Sequence, residues 1–135
     1  MIKRAFLDTG AIYSLVDARD FDHELVKAVY NDPSFHFITH KLILVEAFSL
    51  ITKRLNKKSA VKVMRNLRES PRITVVPMTD DLLEMSWLRC VKYEDKEWDW
   101  IDCCSFEVMR EMRIMEALSL DRHFQQAGYK LLIPL

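Results

Sequence analysis

The chain has 135 residues, the size of one domain, and is long enough to bury about two-thirds of the surface of the unfolded chain. Its 20 basic residues balance its 20 acidic ones, so the net charge predicts neither a nucleic acid nor a membrane as partner. No apolar run reaches the roughly 20 residues of a membrane span, and three cysteines without zinc-site spacing suit a reducing compartment, so we expect a cytoplasmic protein.

Strand and helix patterns alternate along the whole chain. The run from Ile2 to Asp8 has three consecutive apolar residues, Ala5 to Leu7, before its final acid, whereas segment 57–70 has its apolar residues at helical spacing. Asp22 and Thr39 are predicted to cap the helices that follow them. The predicted strands are 2–8, 35–38, 72–77, 117–120 and 129–133, and the predicted helices are 10–17, 23–31, 40–55, 57–70, 79–93 and 101–113. This alternation is typical of an α/β domain with a mostly parallel sheet.

The first strand ends in Asp8-Thr9-Gly10, a sequence also found in aspartic proteases. Aspartic proteases of this size are glycine-rich β proteins with Asp-Thr-Gly in a loop between β segments. This chain has only two glycines, and its Asp-Thr-Gly leads directly into a predicted helix, which excludes a protease. Asp8 instead lies at the carboxyl end of a strand, where ligands bind in open α/β sheets.

Several other acids have no basic residue at helical spacing. Glu46 is either an exposed residue on a wide apolar helix or a buried carboxylate that needs a cation. Asp102 poses the same choice, and Asp99 is either a helix N-cap or an acid that repels Asp102 unless a metal lies between them. Asp121 ends an apolar strand, where a lone Asp is often a turn residue. Together with Asp8, these oxygen donors suit Mg²⁺ or Mn²⁺ rather than zinc.

Four motifs in order give the chain a resemblance to the PIN domain family, the metal-dependent ribonuclease fold of VapC-type toxins. They are LDTGA, VEAFSL, IDCCSFEVMRE and SLDRHFQQAGY, and the resemblance covers nearly the whole chain. It implies a three-layer α/β/α sandwich, formed by a single PIN-like nuclease domain over residues 1–135. It also implies a catalytic acidic quartet (Asp8, Glu46, Asp102, Asp121), a metal site (Asp8, Asp102, Asp121, with Glu46 as an optional ligand) and two orienting hydroxyls (Thr9, Ser119).

The same resemblance implies an activity. One or two Mg²⁺ or Mn²⁺ ions would activate a water that hydrolyses an RNA phosphodiester bond, making the protein an endoribonuclease. The expected role is the toxin of a type II toxin–antitoxin pair, with RNA as substrate, a protein antitoxin as partner and a homodimer as assembly. The alternative is a non-catalytic PIN-like module that binds RNA or a protein. Asp99 lies outside the family pattern and would only support the metal ligands from behind.

Basic residues are concentrated between positions 53 and 68. Lys58, Lys62 and Arg65 recur there at helical spacing and form either an RNA-facing stripe or an ordinary solvated helix face. Arg122 and His123, beside the last acid of the quartet, are further candidates for RNA binding. A structural hydrogen bond is the alternative role for His123.

The tryptophans and cysteines give weaker signals. Trp87 follows a helical apolar pattern and is expected in the core, whereas Trp98 and Trp100 flank an acidic loop and are expected to cover the mouth of the site or stack on bases. Cys103 and Cys104 take small, helix-packed positions and are expected in the core rather than as ligands.

Overall fold

Five parallel strands form the centre of the molecule, whose computed structural model describes residues 1–135. The strands are β1 (Lys3–Leu7), β2 (Phe35–His40), β3 (Ile73–Val76), β4 (Glu116–Leu118) and β5 (Lys130–Leu131). The helices are α1 (Thr9–Val16), α2 (His23–Tyr30), α3 (Lys41–Arg54), α4 (Lys57–Glu69), α5 (Asp80–Lys92), α6 (Trp100–Met112) and α7 (His123–Gln126). The predicted α/β/α sandwich with a parallel sheet is confirmed.

The strand order β3-β2-β1-β4-β5 makes β1 the central strand. The chain leaves β1 to build β2 and β3 on one side and returns to build β4 and β5 on the other, so β1 lies where the strand order reverses. Such a reversal opens a crevice at the carboxyl ends of the strands, the usual ligand site of open α/β sheets. The last three residues of β1, Ala5, Phe6 and Leu7, are fully buried, so the strand that precedes Asp8 is held rigidly in the core.

Aromatic packing joins the central strand to the last two helices. The ring of Phe124 in α7 lies 5.9 Å from Phe6 in β1 and 5.1 Å, edge to face, from Phe106 in α6. All three side chains are fully buried. Edge-to-face and offset pairs at these separations stabilise a core beyond the area that they bury. The cluster therefore fixes α6 and α7, which carry two of the predicted site residues, against β1.

The boundary between β2 and α3 differs from the prediction. Thr39 does not cap α3, because β2 continues to His40 and the buried Thr39 hydroxyl donates to the Leu7 carbonyl of β1 at 2.9 Å. His40 is the N-cap: its Nδ1 accepts from the Ile43 N–H at 3.4 Å, and its Nε2 lies 3.0 Å from Ser105 Oγ in α6. Burial lowers the pKa of His40 to about 4, so the ring is neutral and joins the start of α3 to α6.

Three other features also differ from the prediction. Asp22 occupies the N-cap position of α2, as predicted, but its side chain accepts no capping hydrogen bond. Helix α7 was not predicted, because four residues are too few to show a helical period. The final strand is shorter than predicted, with only Lys130 and Leu131 in the ladder. None of the helices combines the length and the apolar composition needed to cross a bilayer.

The side chains of α5 and α6 match the predictions only for the cysteines. Trp87 is 47% exposed and packs against the half-exposed Trp100, so its assignment to the core is wrong. The buried positions of α5 include Ser86, and the next residue along a helix points about 100° away from it. Cys103 and Cys104 are both fully buried in α6, as predicted.

Candidate active site

A cavity of about 490 Å³ opens at the carboxyl ends of β1 and β4. We call it the acidic pocket. It brings together all four acids of the predicted quartet, and none of its lining residues is Lys or Arg. Its lining residues are Asp8, Thr9, Gly10, Glu46, Leu50, Glu97, Asp99, Ile101, Asp102, Leu120, Asp121 and His123. A larger groove of about 820 Å³ between α3 and α4 contains only one carboxylate, Glu69, and so lacks the predicted chemistry.

Asp8 forms the floor of the acidic pocket, directly after β1 and at the N-cap position of α1. Its Oδ2 accepts a hydrogen bond of 2.7 Å from Ser119 Oγ. Burial raises the pKa of Asp8 to about 7, against the lowering effect of the Ser119 bond, and the negative charges of Asp102 and Asp121 raise it further. A carboxylate in this position is unfavourable near neutral pH unless a positive charge is supplied from outside the protein.

Glu46 reaches the acidic pocket from the middle of α3. Its Oε1 accepts a short hydrogen bond, 2.6 Å, from the hydroxyl of Thr9, the first residue of α1. Because Thr9 is buried, this bond fixes the carboxylate of one element against another rather than against solvent. The contact is the one expected of an orienting hydroxyl, and the catalytic consequence stays a prediction.

Ser119 connects two of the acids. Its hydroxyl donates to Asp8, and its Oγ accepts a hydrogen bond of 3.1 Å from the backbone N–H of Asp121. The side chain is fully buried behind the acidic pocket. Ser119 thus sets the distance between the end of β1 and the turn after β4.

Asp102 lies in the first turn of α6 and takes part in a capping box. Asp99 is the N-cap: its Oδ1 accepts from the Asp102 N–H at 2.8 Å, and Asp102 Oδ2 accepts from the Asp99 N–H at 3.2 Å. Of the two roles considered for Asp99, the structure therefore shows the helix cap. Burial raises the pKa of Asp102, only partly offset by a hydrogen bond from His123.

His123 lies between two acids of the quartet. Its Nδ1 is 2.8 Å from Asp102 Oδ2 and 3.4 Å from Asp121 Oδ1, and its backbone N–H donates to Asp121 Oδ1 at 2.9 Å. Burial alone would lower the pKa of His123, but the Asp102 bond and the negative charges of Asp121 and Asp102 raise it. Asp102 has no basic residue at helical spacing, but His123, at the start of α7, is a hydrogen-bonding partner that both Asp102 and Asp121 share.

The predicted RNA-binding residues are not brought into the acidic pocket, His123 excepted. Lys58, Lys62 and Arg65 are exposed on α4 and do not line it. Arg122 is exposed beside it and lines a neighbouring shallow surface instead. Arg65 instead lines the groove between α3 and α4.

Neither tryptophan near the acidic loop covers the mouth of the pocket. Trp98 is buried and donates its indole N–H to Gln126, and Trp100 lines no part of the pocket, so that prediction is wrong. Sequence reasoning missed Glu97, an exposed acid that lines the mouth. Glu97 lies in an irregular loop, where no periodic pattern could have identified it.

Protein-family similarity agrees with the geometry of the pocket. The model of the PIN domain matches residues 5–129, nearly the whole chain and every acid of the pocket. The chain belongs to the PIN domain family. This PIN domain is 30% identical over 124 residues, 92% of its own length and 94% of the other protein, to the 23S rRNA-specific endonuclease VapC20 of Mycobacterium tuberculosis.

Two solved structures share the fold of this chain. The crystal structure of Mycobacterium tuberculosis VapC20, described as a Sarcin-Ricin loop cleaving toxin, superposes with a TM-score of 0.86 at 29% identity, over 93% of this chain and 95% of that one. FitAcB from Neisseria gonorrhoeae superposes with a TM-score of 0.70 at 17% identity, over 96% of this chain and 97% of that one. At 17% identity the likeness to FitAcB concerns the fold alone.

The donor set of this PIN domain fits a divalent cation. The acidic pocket offers carboxylate oxygens from four separate parts of the chain, has no Lys or Arg to neutralise them, and contains in Asp8 a carboxyl group whose pKa is raised by burial. Oxygen donors of this kind are the preferred ligands of Mg²⁺ and Mn²⁺. Of the predicted ligands, Asp102 and Asp121 bring donor atoms within 4.8 Å of each other and of His123, and Asp8 and Glu46 line the same pocket.

Proposed function

We propose that this PIN domain is an endoribonuclease that depends on Mg²⁺ or Mn²⁺. The observation that carries the proposal is the meeting of Asp8, Glu46, Asp102 and Asp121 in one pocket without a lysine or arginine. Four acids from distant parts of the chain would repel one another if their role were purely structural. One of them, Asp8, is also buried, which raises its pKa and disfavours its charged form. Similarity to an rRNA endonuclease supports the same activity.

The roles of the residues follow from their contacts. The bound ion would lower the pKa of a coordinated water and offset the negative charge of the phosphate. Asp8 and Asp121 are held at a fixed separation by Ser119, and Asp102 is held by the cap of α6. Glu46 has one carboxylate oxygen bonded to Thr9, which leaves the other available as a ligand or as the acceptor of a proton from the attacking water.

RNA is the substrate that we propose, with ribosomal RNA as the first class to test because of the likeness to VapC20. Lys58, Lys62, Arg65 and Arg122 are exposed and form no salt bridge. Free cationic side chains of this kind supply phosphate contacts that do not depend on sequence. They would guide a long RNA past the acidic pocket, which itself carries no lysine or arginine for the phosphates.

We also propose a cytoplasmic toxin whose activity is held in check by a protein antitoxin. The similar VapC20 is described as a toxin, and an RNase that attacks the RNA of its own cell needs an inhibitor. A small reading frame beside the gene, whose product purifies with this chain and suppresses its cleavage of RNA, would support the proposal. The proposal would be contradicted if cells expressing this chain alone grew normally although the purified chain cleaves RNA in vitro.

Metal dependence is the test of the nuclease proposal. Purified protein stripped with EDTA should leave RNA intact and regain cleavage when Mg²⁺ or Mn²⁺ is added in excess. Cleavage that continues in EDTA would overturn the metal mechanism. Tight RNA binding without cleavage in either metal would favour the alternative, a non-catalytic PIN-like binding module.

Replacement of Ser119 by alanine should lower cleavage by roughly ten- to a hundredfold, the usual cost of removing a hydrogen bond that orients a metal ligand. Ser119 is the only side chain bonded to both Asp8 and the backbone of Asp121. Initial rates on one RNA at saturating Mn²⁺ measure the effect. Ser14→Ala is the matched control, since Ser14 is also fully buried and donates to an aspartate, Asp20, outside the pocket. Equal losses in the two variants would contradict the orienting role.

A further inference from the structure

The acidic pocket contains one nitrogen donor among its carboxylates. Asp102, Asp121 and His123 can all bind one ion, because one donor atom from each of these three side chains lies within 4.8 Å of the other two. We propose that His123 Nδ1 binds the divalent cation directly, together with Asp102 and Asp121, and that this makes the site selective for Mn²⁺ over Mg²⁺. The inference rests on the proposed metal site and adds a ligand and a metal preference to it.

The position of His123 is built by the fold. Its backbone N–H is bonded to Asp121, and the next residue, Phe124, is fully buried against β1 and α6. The imidazole is therefore fixed at the start of α7 with its Nδ1 towards the carboxylates, and its side chain is only 25% exposed. A ring held in this way loses little conformational entropy when it binds an ion.

No other histidine is placed to do this. His23 lies against the Ser14 carbonyl, His36 against Thr74, and His40 against Ser105, and none of the three lines the acidic pocket. His123 is thus the single nitrogen ligand that the pocket can offer.

Ligand chemistry then sets the metal preference. Mg²⁺ and Mn²⁺ both bind carboxylates, but Mg²⁺ is bound almost only through oxygen and keeps much of its water, whereas Mn²⁺, a first-row transition metal, also accepts nitrogen ligands. A site with two carboxylates and an imidazole should thus favour Mn²⁺ more strongly than a site with carboxylates alone. The competing arrangement keeps the hydrogen bond between His123 and Asp102, with the ring outside the coordination shell.

Pulsed electron paramagnetic resonance of the Mn²⁺-loaded protein separates these arrangements, because a directly bound nitrogen gives a resolved ¹⁴N coupling. We expect the coupling in the wild type and in the control His36→Gln, whose ring lies on the exposed side of β2, and its loss in His123→Gln. Calorimetry should show the ratio of Mn²⁺ to Mg²⁺ affinity falling by roughly tenfold in His123→Gln.

Bound Mn²⁺ without nitrogen coupling in the wild type would overturn the role of His123 and leave the nuclease proposal standing. Nitrogen coupling in a protein that cleaves no RNA would overturn the nuclease proposal and leave the ligand standing. No uptake of Mn²⁺ at all would overturn the ligand assignment together with the metal site on which it rests.

Discussion

Replacing Asp8 with asparagine should reduce RNA cleavage about a thousandfold or more while the protein stays folded. Asparagine keeps the shape of the side chain and can still accept the hydrogen bond from Ser119, but it brings no negative charge to the ion. Asp8 is the acid at the floor of the pocket, next to both Ser119 and the first turn of α1. Initial cleavage rates at saturating Mn²⁺, with circular dichroism to confirm the fold, measure the effect.

Asp32→Asn is the matched control. Asp32 caps a turn through Ser34, and its pKa is lowered by the Ser34 backbone and side-chain bonds, the opposite of Asp8. The control should cleave RNA at the wild-type rate and lose some stability near neutral pH, since a favoured carboxylate is removed. A folded Asp8→Asn protein that cleaves at nearly the wild-type rate would show that the pocket is not the centre of catalysis.

The stability of the metal-free protein should fall as the pH rises from about 4 to about 7. The pKa of Asp8 is 3.8 when unfolded and about 7 in the fold, so between these values the folded state binds more protons than the unfolded state. Stability then decreases with increasing pH, by at most about 4 kcal/mol at roughly 1.4 kcal/mol per pKa unit. The raised pKa values of Asp102 and His123 act in the same direction.

Urea unfolding in EDTA at a series of pH values measures this dependence, and Asp8→Asn isolates the contribution of Asp8. The variant should be more stable than the wild type at pH 8 and close to it at pH 4. Mn²⁺ should reverse the order at pH 8, because an ion that binds only the folded wild type adds to its stability by mass action. A difference between the two proteins that stays constant from pH 4 to pH 8 would contradict the buried state of Asp8.

The sequence predicts those parts of the fold that depend on local patterns of apolar and polar residues. The three apolar residues that end β1 and the helical spacing of α4 predict these two elements. The strand order places Asp8 where the order reverses. The end of β2 was mispredicted because Thr39 is a good N-cap residue in any local context. In the fold, the Thr39 hydroxyl instead donates to the Leu7 carbonyl of the neighbouring strand β1, a contact that the local sequence does not reveal.

The site was predictable as a set of acids and not as a set of contacts. Residues far apart in sequence form the bonds between Thr9 and Glu46, Ser119 and Asp8, and His123 and Asp102. No spacing rule relates such pairs, so the two hydroxyls were identified by the family resemblance alone. Neither residue spacing nor the resemblance identified Asp102 as the partner of His123. The exposure of Trp87 was also unpredictable from the sequence, because it depends on which face of α5 packs against α6.

The central claim is that separated carboxylates assemble to hold a divalent cation, and calorimetric titration of Mn²⁺ into the metal-free protein tests it most directly. The wild type should take up the ion with a saturating isotherm at pH 7.5, whereas Asp8→Asn should show uptake weakened by at least about tenfold. Absence of Mn²⁺ uptake by the folded wild type, or equal uptake by the two proteins, would contradict the account.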